Sequence, residues 1–372
     1  MIKAKGIYCL RLSRALRQTL IHCLVLFRRQ ALRTYTHRLT PVHRPCLRPI
    51  LGEEHPFRMD PRQKILSEID LETSRIFYSR KPIVLLCGGF VPEKHHPDEL
   101  DPPIRSLRDA ITRHVVTLAA PPHIFRPEEI KSWQEDGVFK NLMEFESDLA
   151  SICSLVAIVV ESEGAIAELG AFSQLPDLRK KLIVIVAEEW SQKKSFINLG
   201  ILRYIKEEHG TGVRVYPWEV KHPLGITADL VTDVVDDIKE ELGGLKKSRT
   251  FNIANDVHLM VLIYELIKIF VALKEIELLD ALKNLGRLVH RDGLRRRLFL
   301  LEQFGLIERI GYSDSNFFAS RDDTFHRLRL ASKSGSAVDF LRARIECLEF
   351  YKENNSERNR NKAIHKARLG GQ

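Results

Sequence analysis

Residues 155–173 read LVAIVVESEGAIAELGAFS, and this stretch narrows the folds open to the chain. It begins with an apolar, largely β-branched run that shows no polar alternation. A strand of that kind is buried on both faces, as in a parallel sheet covered by helices. A short acidic loop containing Gly164 follows, and then a helix whose second turn carries a lone carboxylate, Glu168. In open α/β sheets, loops at strand ends of this type hold the ligand.

Comparable runs recur at 82–87, 114–118, 182–187 and 213–218. Helix-like stretches lie between them, near 103–113, 139–152, 165–175, 195–208 and 225–241. The pattern predicts an α/β fold with a doubly wound, five-stranded parallel sheet over about residues 75–243. After Gly243-Gly244 and the basic KKSR at 246–249, a long apolar helix spans 256–274. Shorter helices at 275–286 and 290–305 come next, then a polar-tipped hairpin through 320. Helices followed by a hairpin predict a winged helix-turn-helix domain over 250–352. Arg291, Arg295, Arg296 and Arg297 lie along its would-be recognition helix and suit contact with phosphates. Such domains also serve as protein-docking modules. The tail, 353–372, is polar and basic, and its composition predicts disorder when free.

Charge is concentrated at one end. The chain carries a net +9, yet residues 1–52 hold eleven Lys and Arg and no acid. The remainder has 47 basic against 49 acidic residues, so its net charge is −2. The leader, 1–58, reads most simply as translation begun upstream of Met59. A disordered basic arm and a targeting segment are the alternatives. No run reaches the roughly 18 apolar residues of a spanning helix. The six cysteines form no C-x-x-C pair, so neither a zinc site nor a disulfide framework is expected, and the cytoplasm is the natural compartment.

The first predicted strand ends in Cys87-Gly88-Gly89-Phe90. Two glycines there let the backbone approach a phosphate, sugar or base, or simply make a tight turn. Dinucleotide, P-loop, hydrolase-elbow and zincin fingerprints are all absent. Glu168 is flanked by Ala165, Ile166, Ala167, Leu169, Ala171 and Phe172, so burying it is costly without a task or a partner. Glu161 is a candidate substrate contact, whereas Glu163 reads as solvated. Asn198, in SFINLG, can offer its amide to the same sheet edge or cap a helix. Asp148 by spacing alone is a surface acid. A carboxylate at such a site can stabilise or trap positive charge that develops on a bound substrate. That chemistry needs no metal and no cofactor.

Taken together, LLCGGF, ESDLA, EGAIAELG and FINLG resemble the nucleoside 2-deoxyribosyltransferase superfamily over roughly residues 80–220. The resemblance implies that Glu168 attacks the anomeric carbon and that Asn198 helps position it. Glu161-Ser162 stands where many transferases place Asp, a departure from strict deoxyribosyl transfer. More narrowly, LCGG, FRPEE, ESEGAIAELGAFS, LRKKLI and KSFIN resemble the effectors of a bacterial retron defence class. That resemblance implies N-glycosidic cleavage of a nucleotide, with NAD the leading candidate, and control by a reverse transcriptase and its msDNA, a DNA–RNA hybrid. It extends to a homo-oligomer or filament, and no membrane association is expected. The implied substrate contacts are Cys87, Gly88, Gly89, Phe90, Pro127, Asp148, Glu161, Ser162, Gly164 and Asn198. The competing expectation is a non-catalytic winged-helix regulator whose α/β domain senses a nucleotide.

Overall fold

The computed structural model describes residues 59–370 apart from 80, 94–99, 120, 131–136 and 322–324, so the basic leader lies outside the described residues. The chain enters through α1 (Pro61–Glu68), capped by Asp60, and β1 (Ile69–Phe77). It then builds a parallel α/β layer: β2 (Ile83–Cys87), α2 (Leu107–Val116), β3 (His123–Phe125), α3 (Leu142–Ile152), β4 (Leu155–Val160) and α4 (Glu163–Ser173). The layer is completed by β5 (Leu182–Ala187), β6 (Val213–Tyr216) and α5 (Ala228–Gly244). All five strands run parallel in the order β3-β2-β4-β5-β6.

Side chains alternate between the sheet faces. Leu85, Cys87, Val156, Ile158 and Val160 enter one hydrophobic cluster, and Val84, Leu86, Leu155, Ala157 and Val159 enter another with α2 and α5. This explains the unbroken apolar runs of β2, β4 and β5, which are buried along their whole length. The strand expected at 114–118 is instead the end of α2 and the turn after it. Leu107, Ile111 and Val115 follow a four-residue spacing and form one buried helical stripe. The edge strand β3 is only three residues long and gave little periodicity to read.

Beyond the short β7 (Ser248–Thr250), α6 (Asp256–Ile269), β8 (Ala272–Leu273), α7 (Glu275–Asn284) and α8 (Arg291–Gln303) lead into the hairpin of β9 (Ile307–Tyr312) and β10 (Ser315–Ser320). The strands form a small antiparallel sheet in the order β8-β10-β9. Helix α6 is buried around most of its circumference because it is a central element of the core. Residues 57–372 cluster as one unit. A single hydrophobic cluster joins β2 and β4 to α6, α8 and β10. Phe125 packs on Phe304, and Phe139 on Phe299, with ring centroids 4.7 and 5.6 Å apart.

The ends of the chain correct the sequence reading. Strand β1 pairs antiparallel with β11 (Arg327–Ser332) on one side and with β7 on the other. Past α9 (Phe340–Glu353), the tail expected to be disordered folds as α10 (Arg358–Gly370). Arg360, Ala363 and Ile364 are buried there, and Ala367 packs against the core. Their spacing is helical, but the surrounding Asn, Arg and Lys hide it in the composition.

Candidate active site

The strand order changes direction between β2 and β4, whose next connections leave toward opposite edges of the sheet. Their carboxyl ends therefore flank a crevice, the usual ligand position in such sheets. β2 delivers Cys87, Gly88 and Gly89 to it, and β4 delivers Glu161 and Ser162. Ser162 caps α4, accepting from Ala165 N at 3.1 Å and donating to Gly88 O at 3.2 Å. This joins the two strand ends. Gly89 is required by packing, since a Cβ would lie 2.7 Å from Ser106 Cβ and 3.0 Å from Glu161 Cδ. No comparable clash surrounds Gly164, where the nearest atom would be Ser162 Oγ at 3.9 Å.

Glu161 has a different task from the expected substrate contact. Its carboxylate accepts from Gly89 N at 3.0 Å, Leu107 N at 2.8 Å and Arg108 N at 3.0 Å. It thus ties the glycine turn to the first turn of α2, where free N–H groups and the helix dipole favour an anion.

Glu168, on α4, is half-buried, and its Oε2 is buried without a hydrogen-bond partner among the described residues. Burial raises its pKa, opposed by the charge of Arg108 and a hydrogen bond from the Cys87 thiol. The Cys87 thiol is fully buried and held well above its usual range, first by burial and then by Glu168. It therefore stays a thiol and is no nucleophile at neutral pH. Arg108 is buried beneath the crevice, bonding Gly89 O at 3.2 Å and Glu128 Oε2 at 2.6 Å. Its Nε is also buried and unpartnered among the described residues. An orphan acceptor and an orphan donor in one crevice call for explanation, and a polar ligand would satisfy both.

A further carboxylate went unnoticed in the sequence. Burial pushes Glu146 of α3 up to about 7, with Glu168 and Glu128 adding to the rise and Arg108 opposing it. The sequence reading chose Asp148 on the same helix. Residues two apart on a helix point in widely different directions. Asp148 instead binds Arg296 Nε at 2.7 Å, and Glu144, one turn before it, binds Arg296 Nη1 at 2.6 Å. The pairing of Glu144 with Asp148 at i, i+4 could have set the helix phase, leaving Glu146 for the crevice.

The remaining predicted residues have mixed positions. Phe90 follows the glycines and is 70 % exposed. Pro127 is buried at the start of a 3₁₀ turn, and its neighbour Glu128 is the residue that reaches Arg108. Asn198 lies in a π-helical turn, Ile197–Leu202. Its amide nitrogen donates to Trp190 O at 2.7 Å and Lys193 O at 2.6 Å, bracing the loop after β5. The four arginines of α8 are engaged within the protein. Arg296 joins α3 as described, and Arg297 is buried and bonded to Asp256 at 2.9 Å. Arg291 and Arg295 share Glu275 and remain largely exposed. Among the described residues no group of three or more His, Cys, Asp or Glu is placed to hold a metal, and no helix is long and apolar enough to cross a membrane.

Glu146 makes a testable pH prediction. Its folded pKa, about 7, lies above the ordinary 4.5, so folding favours the protonated acid. The cost to stability is absent below pH 4.5 and develops as pH rises through 7. Glu146→Gln is therefore expected to melt higher than the wild type above that window and level with it below. A constant difference across the window would contradict this assignment.

Comparison with known proteins gives the crevice a context. The profile of the STM3845 retron effector protein matches residues 104–309, from just before α2 into β9. The chain belongs to this retron effector family. A protein of retron Ec86 from Escherichia coli, named as a candidate ribosyltransferase/DNA-binding protein, is 28% identical over 201 residues, 53% of this chain and 61% of its own length. A protein of retron Ec73 from Escherichia coli with the same designation is 38% identical over 77 residues, 21% of this chain and 24% of its own. The alignments thus span less than two thirds of either relative. Glu146, Glu161, Glu168 and Asn198 fall inside the retron-effector match, whereas Gly88 and Gly89 precede it.

Proposed function

We propose that this retron effector is an enzyme that cleaves the N-glycosidic bond of a nucleotide, with NAD the leading substrate. The observation that carries the proposal is the unpartnered, buried Oε2 of Glu168, in a crevice that also holds the unpartnered Nε of Arg108. In this reading a Glu168 oxygen attacks C1′ of the ribose as the bond from C1′ to the base nitrogen breaks. The electron pair of that bond leaves with the base. Glu146, protonated near neutrality, supplies a proton where the departing base requires one. Water then displaces Glu168 from C1′; its proton restores Glu146 where that acid has been spent and passes to bulk water where Glu146 has kept its own. NAD already carries its positive charge on the nicotinamide, so its departure needs no proton.

The ribosyltransferase designation of the relatives supports this chemistry. Their DNA-binding designation, and the retron family itself, support control in the cytoplasm by a reverse transcriptase and its msDNA. The order α6-β8-α7-α8-β9-β10 suits a winged helix-turn-helix, and the strand order beside it suits a doubly wound sheet and a deoxyribosyltransferase-like ancestry. In the intact complex the effector would be silent, within an oligomer or filament. The test is to incubate purified protein with NAD and a panel of nucleosides and nucleotides, and to weigh the products. Free base with a ribosylated remainder supports hydrolysis, whereas exchanged bases indicate transfer. Binding without turnover would make the chain a nucleotide-sensing regulator.

A further inference from the structure

With the α8 arginines engaged by acids, another positive surface among the described residues lies on the sheet β7-β1-β11. Strand register places Arg75 of β1 opposite Arg329 of β11, and Phe77 opposite Arg327. Between them, Ile76 opposes Leu328, and both are buried in the core. Side chains alternate, so Arg75, Phe77, Arg327 and Arg329 share the outward face, where all four are exposed. Like charges directly opposite each other destabilise a sheet. Neither Arg75 nor Arg329 has an ion-pair partner among the described residues, and the guanidinium of Arg75 reaches only Ser248 Oγ at 3.3 Å. Phe77, a large exposed aromatic, stands among them.

An open cavity adjoins this face, lined by Phe77, Arg327 and Arg329 and by the exposed Lys81, Lys180, Lys246 and Lys247. Those four lysines are without ion pairs among the described residues, and Glu265 is the one acid among the described residues of the lining. Pro82 and Lys181, just before β2 and β5, also line the cavity, so it opens at the amino ends of the parallel strands, away from Glu168. We infer that this face and cavity bind single-stranded nucleic acid, with the arginines and lysines on its phosphates and Phe77 stacked on a base. Arginines interleaved with an aromatic on an open sheet provide both parts of that recognition. A polypeptide of acidic residues alone would use the charge but leave Phe77 without a partner. The inference is independent of the glycosidic chemistry.

The test uses the full chain and a fluorescein-labelled oligothymidylate, with anisotropy followed over a salt series. Arg75→Glu with Arg329→Glu is expected to weaken binding at least about tenfold and to flatten the log–log salt slope by about 0.7 for each phosphate no longer neutralised. Phe77→Ala should weaken it by about tenfold with little change in that slope. Arg291→Glu with Arg295→Glu should change neither quantity appreciably. The leader's charges are common to every variant, so differences in slope report the sheet. Melting curves check folding, and Arg75→Gln with Arg329→Gln provides a milder pair with the same direction of effect. Affinity unchanged in both sheet pairs would overturn the inference. So would weakening confined to the α8 pair, or polyglutamate competing as well as the oligonucleotide.

Discussion

Glu168→Gln is expected to lower nucleotide cleavage by about 10³-fold or more while leaving the protein folded, the scale on which removal of one essential charged or nucleophilic group is felt. Glutamine keeps the shape of the side chain but can neither attack C1′ nor balance a developing cation. Stability should move the other way. Burial raises the Glu168 pKa, so the ionised carboxylate costs stability at neutral pH and its replacement relieves that cost. The variant should melt no lower than the wild type while losing turnover. Cys87→Ser should retain most activity, because the buried thiol stays protonated and serves only as a neighbour of Glu168. Cleavage of NAD and every other nucleotide tested at the wild-type rate by Glu168→Gln would remove Glu168 from the mechanism.

Glu168 was legible in the sequence because it interrupts an otherwise core-forming helix, and ionised side chains rarely enter such surroundings without a purpose. The sheet was legible for a related reason: strands buried on both faces cannot tolerate polar alternation. Other features depend on information that single segments do not contain. Glu161 and Glu168 lie seven residues apart, yet three N–H groups from β2 and α2 engage one while the other keeps an open oxygen. Arg108 sits in an ordinary helical sequence, and only the fold brings it beneath the glycine turn. The α8 arginines fitted a recognition helix by position, but the acids on α3 and α7 that engage three of them are distant in sequence. Strand β1 was missed because its partners β7 and β11 follow it by more than 170 positions.

The second large effect is expected at Glu277, which secures both ends of the described chain. Its carboxylate receives Arg62 Nη1 at 2.7 Å, Lys274 N at 2.7 Å and Arg360 Nη1 at 2.9 Å, and Arg360 Nη2 donates to the other oxygen. Arg62 lies on α1 and Arg360 on α10, so one acid of α7 gathers elements outside the retron-effector match. Burial alone would raise the Glu277 pKa, but the two guanidiniums hold it down to about 2. Its contribution is therefore complete above pH 4.5 and is lost as pH falls toward 2. The Arg360 side chain is 1% exposed and Glu277 22%, so removing the acid leaves a buried cation with Glu357 as its remaining carboxylate partner among the described residues. Glu277→Gln should cost about 3–5 kcal/mol in urea unfolding, the usual penalty for breaking one side of a buried pair. Adding Arg360→Met should restore part of that stability, because the under-compensated buried charge goes with it and a methionine can fill the apolar space beside Tyr351 and Phe317. A cost below about 1 kcal/mol for Glu277→Gln would place the pair among surface bridges of little consequence. The tail helix would then owe its place to the packing of Ala363, Ile364 and Ala367.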